Sequence, residues 1–220
     1  MTPKADNTGA FRRYVVEFIG TFFLMMAVGM SVIGGLGQFA PIAIGTMLIV
    51  MVYAGGSISG AHYNPAVSMA SYLRGSLHIS DLLPYIVAQV LGGTLASMLA
   101  GFLVISMGAP DPAPKELEVV PSLIAEFLGT FALVYVILNV STSKKTAGNS
   151  YYGLAIGSTV MTGAFIFGGV SGGAFNPAIA LGITMAGITS WASIWIFILA
   201  NFVGGALAAF LFQYVNGPEA

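Results

Sequence analysis

The chain contains no cysteine and very little charge. Without cysteine there is no disulfide, no thiolate metal site and no cysteine nucleophile, and the redox compartment is left open. Seven basic and eight acidic side chains in 220 residues amount to 7 % charged, against roughly 25 % in soluble domains. A globule of this size needs more charge to keep its surface wet. The composition therefore excludes a soluble enzyme and a disordered chain. A formal net charge of -1 offers no electrostatic footprint for phosphates, so no nucleic-acid partner is expected. What is abundant is apolar residue, at 57 %, and glycine, at 29 positions. Glycine is frequent where helices pack closely in lipid. The class is an all-α, polytopic membrane protein.

A membrane span needs about 20 mostly apolar residues. Six such stretches occur, at 14–34, 40–58, 82–106, 121–140, 152–170 and 190–215. Arg12 and Arg13 precede the first, as in a signal peptide. Its length and the five further spans argue for a retained anchor. Two shorter apolar segments, 65–73 and 177–186, are each about half a span long. Each begins with one tripeptide, Asn64-Pro65-Ala66 and Asn176-Pro177-Ala178.

That tripeptide belongs to an internal repeat. Residues 17–22 (EFIGTF) recur as 126–131 (EFLGTF), 56–66 (GSISGAHYNPA) as 168–178 (GGVSGGAFNPA), and 88–96 (AQVLGGTLA) as 200–208 (ANFVGGALA). The matches keep their order at nearly constant offset, which chance similarity between apolar helices does not produce. The reading divides the chain into a first three-span repeat over 1–106, a linker over 107–120 and a second repeat over 121–220. Three spans is an odd number, so the second repeat enters the membrane from the opposite side. In inverted repeats the functional site lies near the midplane, where the halves meet, and paired interrupted segments point to it.

Basic residues set the orientation. Lys4, Arg12, Arg13, Arg74, Lys144 and Lys145 fall on the side of the N-terminus. Only Lys115 falls on the other, in a loop with Asp111, Glu116 and Glu118. Both termini are expected in the cytoplasm, with the linker outside.

Asn is among the best helix N-caps and Pro is favoured at the first helical position. Asn-Pro before an apolar run therefore reads as a sharp helix start. Residues 60–63 and 172–175 become the non-helical approach, tolerated in a membrane only where packed in protein or lining a cavity. Two half-length helices entering from opposite sides meet N-terminus to N-terminus. Their positive dipole ends repel a cation and leave a neutral solute alone. The Asn amides cap through oxygen and donate N–H to a passing solute.

With these motifs in hand, the chain resembles the aquaporin (major intrinsic protein) family over about residues 14–215. The resemblance rests on the two Asn-Pro-Ala boxes, on SGAHYNPAV at 59–67, and on Glu-Phe-(Ile/Leu)-Gly-Thr-Phe at the start of each repeat. It implies a right-handed bundle of six spans plus two re-entrant half-helices. It also implies a homotetramer with one pore per subunit and passive flow of water or small neutral solutes. It further implies a narrowing formed by four positions, which typically include aromatic groups and an Arg directly after the second box. Here Ile179 stands in the place of that Arg, and the other three positions fall on Ile44, Ala164 and Gly173. An Arg supplies fixed N–H donors and positive charge. The residues present imply a wider, apolar constriction, with only the backbone carbonyls of 172–174 as polar partners. Glycerol, urea or ammonia then compete with water as the solute, while a fully apolar ring resists wetting. Cation exclusion is left mainly to the midplane barrier.

Glu17 and Glu126 lie within apolar spans, where a carboxylate is costly and suggests function. One reading is a proton relay. The other is acceptance of N–H groups from the non-helical segment of the same repeat; the symmetric placement and the resemblance favour it. His62 reads either as a protonation gate or as a static pore-lining or packing residue. His78, near Asp81, reads as a solvated interfacial residue, and two histidines apart from any acid cluster make no metal site. No phosphate-cradling loop is present and no cofactor is implied. Gly92-Gly93 and Gly204-Gly205 are expected to let helices cross closely. The loop 141–150 is read as solvated, with lipid headgroups as the alternative for Lys144 and Lys145.

Three functions compete: a passive channel, a secondary transporter, and a non-transporting adhesion protein. A coupled carrier needs intramembrane carboxylates free to bind Na⁺ or H⁺, and intact Asn-Pro-Ala boxes weigh against adhesion. Within the channel class a wide, permissive pore ranks ahead of a strictly water-selective one. Enzymatic chemistry is not indicated. The short polar ends suggest a microbial plasma membrane.

Overall fold

A computed structural model describes residues 7–109 and 112–217 of the chain. Lys4 and Asp111 lie outside the described residues. Eight α-helices follow one another: α1 (Asn7–Val32), α2 (Ala40–Ser59), α3 (Pro65–Arg74), α4 (Ile79–Ser106), α5 (Val119–Ser141), α6 (Tyr152–Ser171), α7 (Pro177–Met185) and α8 (Ile194–Asn216). All but α3 and α7 are long and apolar enough to cross a membrane. Among the described residues the only β-type pairing is an isolated bridge between Lys115 and Thr189.

The outer surface is apolar, with Leu83, Phe102, Ile166 and Phe210 exposed, as a helix bundle solvated by lipid requires. α1 is already helical at Asn7, the first described residue, seven residues before the expected span. The polar turn carrying Arg12 and Arg13 is thus already helical. There Arg13 Nη2 donates to Asp81 Oδ2 at 2.8 Å and Tyr14 OH to Oδ1 at 2.7 Å. α4 starts three residues early because His78, exposed as expected, caps it by accepting from Ser80 N at 3.3 Å.

The start of α1, the ends of α3 and α8, and the 142–151 loop share one face, called here the termini face. Gln213 Nε2 donates to Leu73 O at 2.8 Å, Arg74 Nη2 reaches Thr142 O at 3.4 Å, and the Arg74 guanidinium lies 5.0 Å from the Phe212 ring centre. Lys115 lies on the opposite face, against the end of α6.

α1 packs on α2 and α4, α5 on α6 and α8, and α2 on α6. The short helices fill the interior, α3 against α8 and α7 against α4. Glycine makes these approaches possible. A Cβ on Gly92 would strike Phe18 O of α1, and one on Gly204 would lie 2.7 Å from Phe127 O of α5. The second glycine of each pair faces a short helix: Gly93 has Ala178 O, and Gly205 has Ala66 O, at 3.1 Å from such a Cβ. The close crossings expected of both pairs are present. They bring each short helix against a long helix from the other half of the chain.

Candidate functional site

Each short helix starts at an asparagine. Asn64 and Asn176 are extended (φ -158° at both) and their Oδ1 atoms accept Ala66 N at 2.9 Å and Ala178 N at 3.0 Å. The following prolines occupy positions where no intrahelical N–H is needed. The two caps are tied to each other's approach segments: Asn64 Nδ2 donates to Phe175 O, and Asn176 Nδ2 to Tyr63 O, both at 2.8 Å. A primary amide has two N–H groups. One is spent on this cross-bond and one remains at each Asn.

The approach segments hold unusual backbone. Gly60 and Gly172 end α2 and α6 in left-handed conformation (φ 89° and 94°). Ala61 and Tyr63 follow at φ 51°, and Gly173 and Phe175 at φ 66° and 48°. Left-handed backbone at a non-glycine residue costs of order 1–3 kcal/mol and persists only where surroundings hold it.

The holding groups are the two buried carboxylates. Glu17 Oε1 accepts Ser59 Oγ at 2.6 Å and His62 N at 2.9 Å; its Oε2 accepts Tyr63 N at 2.6 Å and Gln89 Nε2 at 2.8 Å. Glu126 repeats the pattern with Ser171 Oγ at 2.7 Å, Ala174 N at 3.0 Å, Phe175 N at 2.8 Å and Asn201 Nδ2 at 2.9 Å. An ionised carboxylate offers about four acceptor sites. Both are filled by N–H and O–H donors, which leaves neither free to coordinate a transported ion.

One helical turn beyond each glutamate a glycine makes room for the aromatic ring that precedes the asparagine. A Cβ on Gly20 would run into the Tyr63 ring, and one on Gly129 into the Phe175 ring. Tyr63 OH additionally donates to Met51 O at 2.9 Å. The role of Gly20 and Gly129, and of the donors Gln89 and Asn201, is not apparent in the sequence reading. The signal was nevertheless present. Glutamate and glycine share the 17–22 and 126–131 repeat, and Gln89 and Asn201 are matched polar residues within otherwise apolar repeated segments.

These elements surround a cavity of about 350 Å³. Ile156, Val160, Ala164 and Gly168 line it along α6 at every fourth residue, a run of about 18 Å at 1.5 Å per residue. Leu24, Val28 and Val32 of α1, and Ile44 and Leu48 of α2, form similar stripes. Asn64 and Asn176 interrupt this apolar wall, as does His62, whose Nδ1 lies 3.1 Å from Ser68 Oγ. Ile44, Ala164, Gly173 and Ile179, separate in sequence, all line this one cavity. No described donor from the protein reaches the carbonyl oxygens of Gly172, Gly173 or Ala174.

The wall also includes Lys115, a charged residue not among the expected pore positions. Lys115 folds over the mouth on the face opposite the termini, and its Nζ donates to Gly169 O at 2.7 Å. The polar groups near the constriction are therefore not limited to backbone carbonyls.

The model of the family described as "Major intrinsic protein" matches residues 4–212. The chain belongs to the major intrinsic protein family. Among members of that family it is similar to Aquaporin NIP1-1 of Zea mays, 38 % identical over 94 % of this chain and 77 % of the maize protein. It is also similar to Glycerol uptake facilitator protein-like 6 of Lactiplantibacillus plantarum, 34 % identical over 94 % of this chain and all of the bacterial one. In fold it is similar to the solved aquaglyceroporin of Plasmodium falciparum, with a TM-score of 0.79, 22 % identity, and coverage of 95 % of this chain and 98 % of that one. Like other major intrinsic proteins, the chain is an integral, multi-pass membrane protein and not an enzyme.

Proposed function

We propose that this major intrinsic protein is a passive channel for water and small uncharged solutes, with a wide and largely apolar constriction at Ile44, Ala164, Gly173 and Ile179. The observation that carries this reading is the single cavity onto which those four residues and both box asparagines open. A solute enters past the constriction, where the carbonyls of 172–174 accept hydrogen bonds. It then meets the remaining N–H of Asn64 and of Asn176, at the positive ends of α3 and α7. Donors at that point orient a water or hydroxyl oxygen, and the dipole ends oppose a cation. Glycerol, urea or ammonia-like solutes fit a constriction without a bulky aromatic or an Arg side chain better than a strict water filter does.

Glu17 and Glu126 act as supports of the pore segments, and His62 as a static lining residue held by Ser68. The filled acceptor sites of both carboxylates favour this over a proton relay or a coupled carrier. The matching hydrogen-bond sets favour the division into inverted repeats over 1–106 and 121–220 joined by 107–120. The positive-inside rule places the termini face, with Arg13, Arg74, Lys144 and Lys145, in the cytoplasm. A homotetramer with one pore per subunit in a microbial plasma membrane completes the proposal.

Stopped-flow light scattering on proteoliposomes tests it, with separate gradients of an impermeant sugar and of glycerol. The expected record is fast shrinkage, then fast glycerol-driven re-swelling. Shrinkage without re-swelling assigns strict water selectivity instead. Solute uptake in fixed ratio to an ion removes the channel reading altogether.

A further inference from the structure

We infer that Lys115 is a specificity-determining residue of this pore: its ammonium, strapped across the mouth, is the charge that turns cations away from a constriction that has none of its own. The inference rests on the channel reading above.

The strap is built from both main chain and side chain. Lys115 N donates to Ile188 O at 3.1 Å, and residue 115 bridges to Thr189. Ile188 and Thr189 are themselves cavity-wall residues. The side chain, itself exposed, reaches across to α6, where Nζ donates to Gly169 O at 2.7 Å. Gly169 lies in the last turn of α6, whose carbonyls lack intrahelical partners and carry the negative end of the helix dipole. A lysine ammonium satisfies that carbonyl and gains from the dipole. A long, flexible side chain that is otherwise free to point into solvent is therefore held at the rim. One of its three N–H groups is used there, and its charge is not.

No carboxylate among the described residues lies within ion-pair distance of that ammonium. The one ion pair among them is Arg13–Asp81, on the termini face. Glu116 and Glu118, its neighbours in the chain, make no ion pair with it. Gly169 is five residues along α6 from Ala164, about 7.5 Å by helical rise. That is close to the Debye length of about 8 Å at physiological ionic strength, and the apolar walls of Ile44 and Ile179 screen less than bulk water does. An entering cation meets this field before the half-helix ends; an uncharged solute does not feel it.

Urea and guanidinium make the test, since they share a planar shape and nearly the same size but differ in charge. Full-length protein in liposomes that also carry a chloride ionophore, so that chloride accompanies any guanidinium that enters, is given urea or guanidinium chloride gradients, and re-swelling is followed by light scattering. The guanidinium-to-urea permeability ratio cancels differences in the amount of folded protein. Lys115→Met keeps the length of the stem and removes the charge, and the ratio is expected to rise about tenfold. Lys115→Glu is expected to raise it further, and Lys115→Arg to leave it near the wild-type value. A Lys115→Met ratio within about twofold of wild type overturns the inference while urea flux upholds the channel. Absence of water and urea flux in the wild-type protein overturns both.

Discussion

Replacing Glu126 by glutamine exchanges one acceptor oxygen for an NH₂ group and changes little else. In the wild-type protein one carboxylate oxygen accepts from Ser171 Oγ and Ala174 N, the other from Phe175 N and Asn201 Nδ2. Wherever the glutamine NH₂ is placed, it opposes one main-chain N–H of the approach segment. Facing Asn201 it finds some relief, because Asn201 Oδ1 has no partner and a flipped amide turns that oxygen toward it. Phe175 N has no such remedy. An orphaned buried N–H costs about 1–3 kcal/mol, and bonds to a neutral acceptor are weaker than bonds to a charged one by about 1 kcal/mol each. Allowing for the easier burial of a neutral amide, the net destabilisation is about 2–4 kcal/mol. At about 2–4 °C per kcal/mol for a chain of this length, Tm falls by roughly 5–15 °C. Thermal unfolding in detergent measures the fall. Water flux in liposomes is expected to decline with it, since Gly173 and Ala174 line the cavity and Phe175 loses its hold at φ 48°. A Glu126→Gln protein with unchanged Tm and unchanged flux would falsify the supporting role of the carboxylate.

Three further outcomes are expected. Ile179→Arg adds bulk and donors beside the free carbonyls of 172–174, so glycerol flux in the same liposomes falls at least about tenfold while water still passes. Gly129→Ala drives a Cβ into the Phe175 ring and lowers folded yield in size-exclusion profiles by an overpacking cost of about 1–3 kcal/mol or more. Gly101→Ala, with nothing within 4 Å of the added Cβ, leaves the profile unchanged and serves as its control. Asn64→Ala removes the cap of α3 and the bond to Phe175 O, lowering stability by about 0.5–2 kcal/mol for the cap alone, and water flux drops with the lost donor.

Much of this molecule can be read from residue pattern because lipid simplifies the rules. Spans of apolar residues had to be helices, and Asn64-Pro65 and Asn176-Pro177 had to be helix starts, since the backbone has no water to turn to. The carboxylates at 17 and 126 were conspicuous for the same reason, and their mirrored spacing pointed to the approach segments. Partners chosen by three-dimensional fit were not legible. Gly20 and Gly129 look like any membrane glycine until the rings of Tyr63 and Phe175 are placed against them. Lys115 looks like an ordinary loop cation, because a bond to Gly169 O across 54 residues leaves no periodicity to detect. The helical turns of α1 ahead of residue 14 escape the span pattern for a different reason: hydropathy marks where lipid starts, whereas the helix extends on into the interface.

The reciprocal bonds from Asn64 to Phe175 O and from Asn176 to Tyr63 O carry a consequence for how the chain matures. The N-terminal half leaves the ribosome first. It then holds an amide whose acceptor has not yet been synthesised, and a notch at Gly93 against which Ala178 has still to dock. Until then α3 is held by Glu17 through His62 N and Tyr63 N and by Gln89 through Ser68 Oγ, and it lacks only its contacts with the second half. The arrival of α7 and α8 completes the reciprocal bonds and supplies the partner surface of both short helices.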